Sequence, residues 1–87
     1  MHQRTVTVGS ASGLHARPAA LLAAAAAGLA PATVLIARPG SEGVDASSVL
    51  MLMTLGVGHG ETVELSSDDE GALDTVAELV AADLDAR

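Results

Sequence analysis

From Ala16 to Ala27 the chain reads ARPAALLAAAAA, eight alanines in twelve residues with a proline at the third place. Alanine is the strongest helix former, and proline is tolerated only in a helix's first turn, so this segment has to be a helix that begins close to His15. Gly28 is the expected stop. Leu22, Ala25, Ala26 and Leu29 share one face of that helix and are its candidate core positions. Because the chain contains no Phe, Trp or Tyr, the core has to be assembled from Leu, Val, Ile, Met and Ala.

The remaining segments alternate between strand and helix patterns. Thr5 to Val8 (TVTV) predicts a half-buried strand with Val6 and Val8 on one side. Ala32 to Arg38 is β-branched and predicts a second strand, and the turn residues PGSEG (39–43) lead into a short antiparallel third strand around Val44. Ser47 to Gly56 carries a serine cap, an apolar body and a glycine stop, which predicts a short helix too apolar to lie wholly on the surface. Glu61 to Leu65 alternates again, with Val63 and Leu65 inward. In the last segment Ser67 and Glu70 have capping-box spacing, Asp68 and Asp69 lie where a helix dipole favours anions, and Leu73, Val76, Leu79, Val80 and Leu84 keep helical spacing. The order βαββαβα predicts an α+β two-layer open-faced sandwich: a four-stranded, mainly antiparallel sheet with three helices on one face, in a single domain over 1–87.

Several function classes are excluded at this level. Eleven acidic residues against four arginines and no lysine give a net charge of −7, which repels a phosphate backbone, and without aromatic residues there is nothing on which bases could stack. Nucleic acid is therefore not an expected partner. The absence of cysteine removes disulfides, thiolate catalysis and Cys-type zinc sites, and fits a reducing, cytoplasmic setting. No apolar signal segment opens the chain, and the uncharged stretch Pro18 to Ala37 is mostly alanine and divided by Gly28 and Pro31, so no membrane insertion is expected. His2, His15 and His59 fall in three separate segments without ligand spacing, so neither a metal site nor a cofactor is expected. A chain of 87 residues leaves little room for an enclosed pocket, which places any chemistry on the surface.

The place for that chemistry is SGLHARPA, Ser12 to Ala19. His15 lies in the N-cap region of the alanine helix, where unpaired backbone N–H groups and the positive end of the helix dipole favour an anion. A neutral imidazole there is a nucleophile. First-turn N–H groups and the forked donors of Arg17 would bind the oxygens of a phosphoryl group arriving on the ring. Gly13 allows the preceding loop a positive φ, and Ser12 stands near His15 without the Gly-x-Ser-x-Gly context of a nucleophile elbow. His2 and His59 are expected in solvent.

GLHARPAALL and DASSVLMLMTLGVGHGETVEL resemble the HPr family, the histidine-containing phosphocarriers of the bacterial phosphoenolpyruvate-dependent sugar phosphotransferase system, over nearly the whole chain. The alanine-rich, lysine-free composition is similar to that of actinobacterial members. The resemblance implies that His15 takes a phosphoryl group on Nδ1 from phosphorylated enzyme I and passes it to the enzyme IIA component of sugar permeases. It implies phosphate-binding roles for Arg17, for Ala16 through its backbone and, as an auxiliary, for Ser12. Ser48 aligns with the serine that a kinase modifies in many relatives, although Ser47 stands where lysine is common, and a plain N-cap is the competing role for either serine. Ala20, Ala24 and Ala27, in line with Arg17, replace the lysines that relatives often carry on the docking face, while Val49, Leu50 and Met53 are expected to form an exposed apolar patch beside His15. These features describe a monomeric phosphocarrier rather than an enzyme with its own turnover. The alternative is a non-catalytic regulatory docking module of the same fold, for which a nucleophile at position 15 is superfluous.

Overall fold

In the segment TVELSS the buried positions alternate, with Val63, Leu65 and Ser67 inward and Glu64 in water, and this period of two makes it an inner strand. The computed structural model describes residues 1–85. Its elements are β1 (His2–Thr7), α1 (Ala16–Ala27), β2 (Leu35–Ala37), β3 (Val44–Asp45), α2 (Val49–Thr54), β4 (Thr62–Ser67) and α3 (Glu70–Ala81), in the expected βαββαβα order. The sheet order is β1-β4-β2-β3 and every pairing is antiparallel. The ladder between β1 and β4 runs from His2 opposite Ser67 to Thr7 opposite Thr62.

One face of the sheet is covered by the three helices and the other carries Gln3, Thr5, Thr7 and Glu64 into solvent. Between the layers Leu14, Leu22, Ile36, Leu52, Leu65 and Leu73 are fully buried, so the aromatic-free core is filled by branched aliphatics packed on alanine. The small side chains of Ala19, Ala23 and Ala26 form the inner face of α1 together with Leu22. Ala25 and Leu29, expected on that face, are only half-buried, because the buried stripe follows 19, 22, 23 and 26.

The local boundaries shift where long-range pairing decides them. β1 begins at His2 rather than Thr5 because β4 offers a partner as far as Ser67, and Val8, expected in the strand, lies past its end while its amide still donates to the Glu61 carbonyl at 2.8 Å. β4 likewise runs from Thr62 through Ser67, beyond the expected end at Leu65. β2 keeps only Leu35–Ala37 of the expected 32–38, since β3 is two residues long and the Ala32 amide closes a turn onto the Leu29 carbonyl. Ser67 does not cap α3. It is a buried strand residue whose hydroxyl donates to the Thr33 carbonyl at 2.7 Å, and Asp69 caps the helix by accepting from the Ala72 amide at 3.0 Å. Leu84 falls beyond the end of α3 and packs half-buried against the core.

Candidate functional site

His15 is the N-cap residue of α1, with φ −123° and ψ 161°, and its side chain makes no capping hydrogen bond. The imidazole is thus not spent on the backbone, and the first turn has no acidic residue to satisfy it. Ala16, the first helical residue, has φ 45°, the only positive φ on a non-glycine residue in the described chain. Such a conformation costs on the order of 1–3 kcal/mol and persists only where surrounding contacts over-determine it. Those contacts lie on both sides. Pro18 and Ala19 are buried in the helix layer, and Leu14, fully buried, pins the preceding loop.

The loop before His15 rests on the segment 57–61. The Leu14 amide donates to the Val57 carbonyl at 3.0 Å and the Gly60 amide to the Val8 carbonyl at 2.9 Å. Gly13 has φ +73°, and a Cβ there would stand 2.4 Å from the Val57 oxygen and 2.7 Å from the Gly58 Cα, so only glycine allows the loop this close. His59 is exposed, with Nδ1 3.3 Å from the Ser10 carbonyl, the geometry of a ring N–H donating to that oxygen. His2 is exposed on β1, away from both other histidines in sequence and element.

Of the arginines within the described residues, Arg4 pairs with Glu70 and Asp74, and Arg38 pairs with Glu61. The exposed guanidinium of Arg17 has no hydrogen-bond or ion-pair partner among the described residues. Ser12 is engaged instead by a carboxylate that sequence reasoning missed. Asp85 Oδ2 accepts from the Ser12 amide at 2.8 Å and from its hydroxyl at 2.7 Å, and Asp83 accepts from the amides of Ala11 and Asp85. The Ser12 hydroxyl, then its amide, with the charge of Arg17 adding to them, hold the Asp85 carboxyl below its ordinary range. Nothing in the residues DLDAR signals this return of the chain onto the His15 loop, because it is a contact across the whole sequence.

On α2 the side chains of Leu50 (71%), Met53 (42%), Val49 and Met51 (both 39%) are exposed, while Leu52 is fully buried. Burying a leucine stabilises by roughly 1.5–3 kcal/mol, so leaving Leu50 in water forgoes that gain for a surface use. Met51 of α2 and Leu21 of α1 are also exposed, in addition to the three residues expected. Ala20, Ala24 and Ala27 are exposed on α1. Ser48 is the N-cap of α2, its hydroxyl accepting from the Met51 amide at 3.2 Å, whereas Ser47 donates its hydroxyl to Asp45 at 2.8 Å. The Ser47 amide and hydroxyl hold the Asp45 carboxyl below its usual range.

A concavity of about 760 Å³ is lined by Met1, Pro31, Thr33, Ser66, Asp68 and Glu70 among others and includes no residue of the His15 loop. A group delivered by a partner protein onto a surface histidine needs no cavity. Among the described residues no cluster of three or more metal-ligating side chains occurs, and no helix is long and apolar enough to cross a membrane.

Residues 2–82 match the family model described as the PTS HPr component phosphorylation site. The chain is similar to the phosphocarrier protein HPr of Streptomyces coelicolor, at 44% identity over 98% of this chain and 94% of that protein. Similarity to the phosphocarrier protein HPr of Haloferax volcanii is 40% over 91% of this chain and 92% of the relative. Among solved structures, HPr-C-His from Thermoanaerobacter tengcongensis superposes with a TM-score of 0.86 at 30% identity, covering 100% of this chain and 99% of that one. A phosphocarrier protein HPr from Bacillus anthracis superposes with a TM-score of 0.82 at 33% identity, covering 91% and 95%.

Proposed function

Since this chain belongs to the HPr family of phosphocarriers of the phosphotransferase system, we propose that His15 is its phosphoryl acceptor, charged by phosphorylated enzyme I and discharged to enzyme IIA of sugar permeases. The observation that carries this reading is the N-cap position of His15 with no capping hydrogen bond from its side chain, two residues before an exposed Arg17 that has no hydrogen-bond or ion-pair partner among the described residues. In the forward step Nδ1 attacks phosphorus, a P–N bond forms and the bond to the donor breaks. The backbone N–H groups of Ala16 and Arg17 and the Arg17 side chain would hold the three phosphoryl oxygens. The reverse sequence on enzyme IIA returns His15 to its starting state. The residue is therefore a carrier and not a catalyst.

The exposed apolar side chains of α2, together with the exposed Leu21 and alanines 20, 24 and 27 of α1, suit partners that recognise shape and apolar area more than charge. A phosphate on Ser48 would add about −1.5 to −2 charges at the start of that surface, a reason to read Ser48 as a conditional regulatory site for a serine kinase. The unit of function is taken as one domain over 1–87 acting as a cytoplasmic monomer. The test is intact-mass measurement after mixing with phosphoenolpyruvate and enzyme I. One added phosphoryl group, lost in His15→Ala, is the expected result. No added mass on the parent protein would leave the contact-only docking module as the better reading.

A further inference from the structure

The two halves of the proposed site lie on separate segments, His15 behind the loop 9–14 and the apolar surface on α2. Arg38, directly after β2, makes three hydrogen bonds that join them. Its Nε donates to the Leu55 carbonyl at 2.7 Å, Nη2 to the Gly56 carbonyl at 2.7 Å and Nη1 to Glu61 Oε1 at 2.9 Å. Leu55 is the C-cap of α2, so the first two bonds satisfy carbonyls at the end of the docking helix. The second oxygen of Glu61 accepts the Gly58 amide at 2.8 Å. Between these two anchors lies Val57, fully buried, whose carbonyl receives the amide of Leu14 immediately before His15.

We propose that Arg38 and Glu61 are positioning residues that hold the His15 loop in register with the docking helix α2 through the turn 55–61. The inference rests on reading His15 as the acceptor and α2 as the docking surface. The side chains of Arg38 and Glu61 are 42% and 45% exposed. A pair this wet adds little to the stability of a fold, so its main effect is on geometry. The geometry leaves little slack, because Gly13 already packs without a Cβ against the Val57 carbonyl. The Gly58 amide, and after it Arg38, hold the Glu61 carboxyl below its ordinary range, so the link stays charged from neutral pH into mildly acid solution. A point-charge lysine could meet one of these acceptors but not reproduce the planar fork that reaches all three.

The test compares the parent with Arg38→Met, which keeps the length of the stem, and Glu61→Gln, whose amide nitrogen cannot accept from the Gly58 N–H. Both are assayed for phosphoryl acceptance from enzyme I and for amide hydrogen exchange. With this protein as the varied acceptor, we expect the kcat of enzyme I to fall about tenfold and its KM for this protein to stay within about twofold, since a small displacement of reacting atoms costs rate more than binding. The Leu14 amide should exchange about tenfold faster while Leu73 and Val76 in α3 keep their protection. Parental kcat and Leu14 exchange, a rise in KM alone, or losses that track the unfolded fraction would each overturn the proposal. If Arg38→Met does not fold, Glu61→Gln decides alone. If the parent itself accepts no phosphoryl group, the carrier reading is what fails, and Leu14 exchange still decides whether Arg38 and Glu61 set the loop.

Discussion

The carboxylate of Asp85 takes both donors of Ser12, the amide at 2.8 Å and the hydroxyl at 2.7 Å. An internal anion thus occupies groups that would otherwise be open to a phosphoryl group on the adjoining His15 loop. Replacing Asp85 by Asn removes the charge and should tighten binding of inorganic phosphate at the His15 loop, read from chemical shifts of the Ser12 and His15 amides. Unchanged phosphate affinity would show that Ser12 takes no part in holding the anion. The pH dependence follows from the lowered Asp85 value. A carboxyl whose folded-state value is depressed stabilises above its unfolded value and loses that contribution as pH falls through the folded one. The Ser12 amide shift should therefore hold steady through the neutral range and titrate only in acid, below the ordinary range of an aspartate.

Leu50 and Leu52 are two residues apart on α2, yet one is 71% exposed and the other fully buried. Leu50→Asp should change stability by less than about 0.5 kcal/mol, the usual range for surface substitutions, while raising the KM of enzyme I for this protein as acceptor. Leu52→Ala should cost about 2–5 kcal/mol in denaturant melts and leave KM of the folded fraction near the parental value. Equal effects of the two on KM would remove α2 as the docking surface.

Much of this architecture is legible in the residues themselves. Pro18, the alanines and Gly28 bound α1 within a residue, and the alternation of Val63 and Leu65 identifies β4 as a strand with one buried face, because both signals are local and periodic. The misplaced cap of α3 shows where local reasoning ends. Ser67 has the right spacing from Glu70, but the β1 ladder extends to Ser67 opposite His2, and Asp69, directly before Glu70, takes the cap instead. The site divides in the same way. His15 at the helix start follows from Pro18, whereas Asp85 on Ser12 and Arg38 on the turn 55–61 are contacts between distant segments, with no periodicity to announce them.

Ser48 offers a way to separate capping from charge. Ser48→Ala removes the acceptor for the Met51 amide and should cost about 1 kcal/mol of stability. Ser48→Asp keeps an acceptor suited to an N-cap and should hold stability within a few tenths of that of the parent. If a charge at this position regulates docking, only the aspartate variant should accept phosphoryl groups more slowly from enzyme I. Matching rates for Ser48→Asp and the parent would limit Ser48 to a structural cap.

The bond formed on His15 would be a phosphoramidate, and its chemistry separates this modification from one on a serine. Protonation of the ring makes nitrogen the better leaving group, so the label should be lost in acid and survive alkali, whereas a phosphoserine ester is labile to hydroxide. In this reading Arg17 and the first turn of α1 would have to hold the phosphoryl group without trapping it, because a carrier must release its cargo as readily as it binds it. Arg17 is exposed and unpartnered among the described residues, so Arg17→Ala should leave the melting temperature close to that of the parent. Transfer should slow nonetheless, by a factor on the order of 10 if the guanidinium supplies one charge-assisted hydrogen bond in the transition state. His2→Ala should carry the label at parental levels. His59→Ala should do so too, since the His59 ring contributes only its contact with the Ser10 carbonyl. Rapid-quench labelling with phosphoenolpyruvate and enzyme I, followed by parallel acid and alkali treatment, measures all of these at once. An acid-stable label on the parent, or an Arg17→Ala variant that transfers at the parental rate, would rule out the arrangement of acceptor and clamp described for His15 and Arg17.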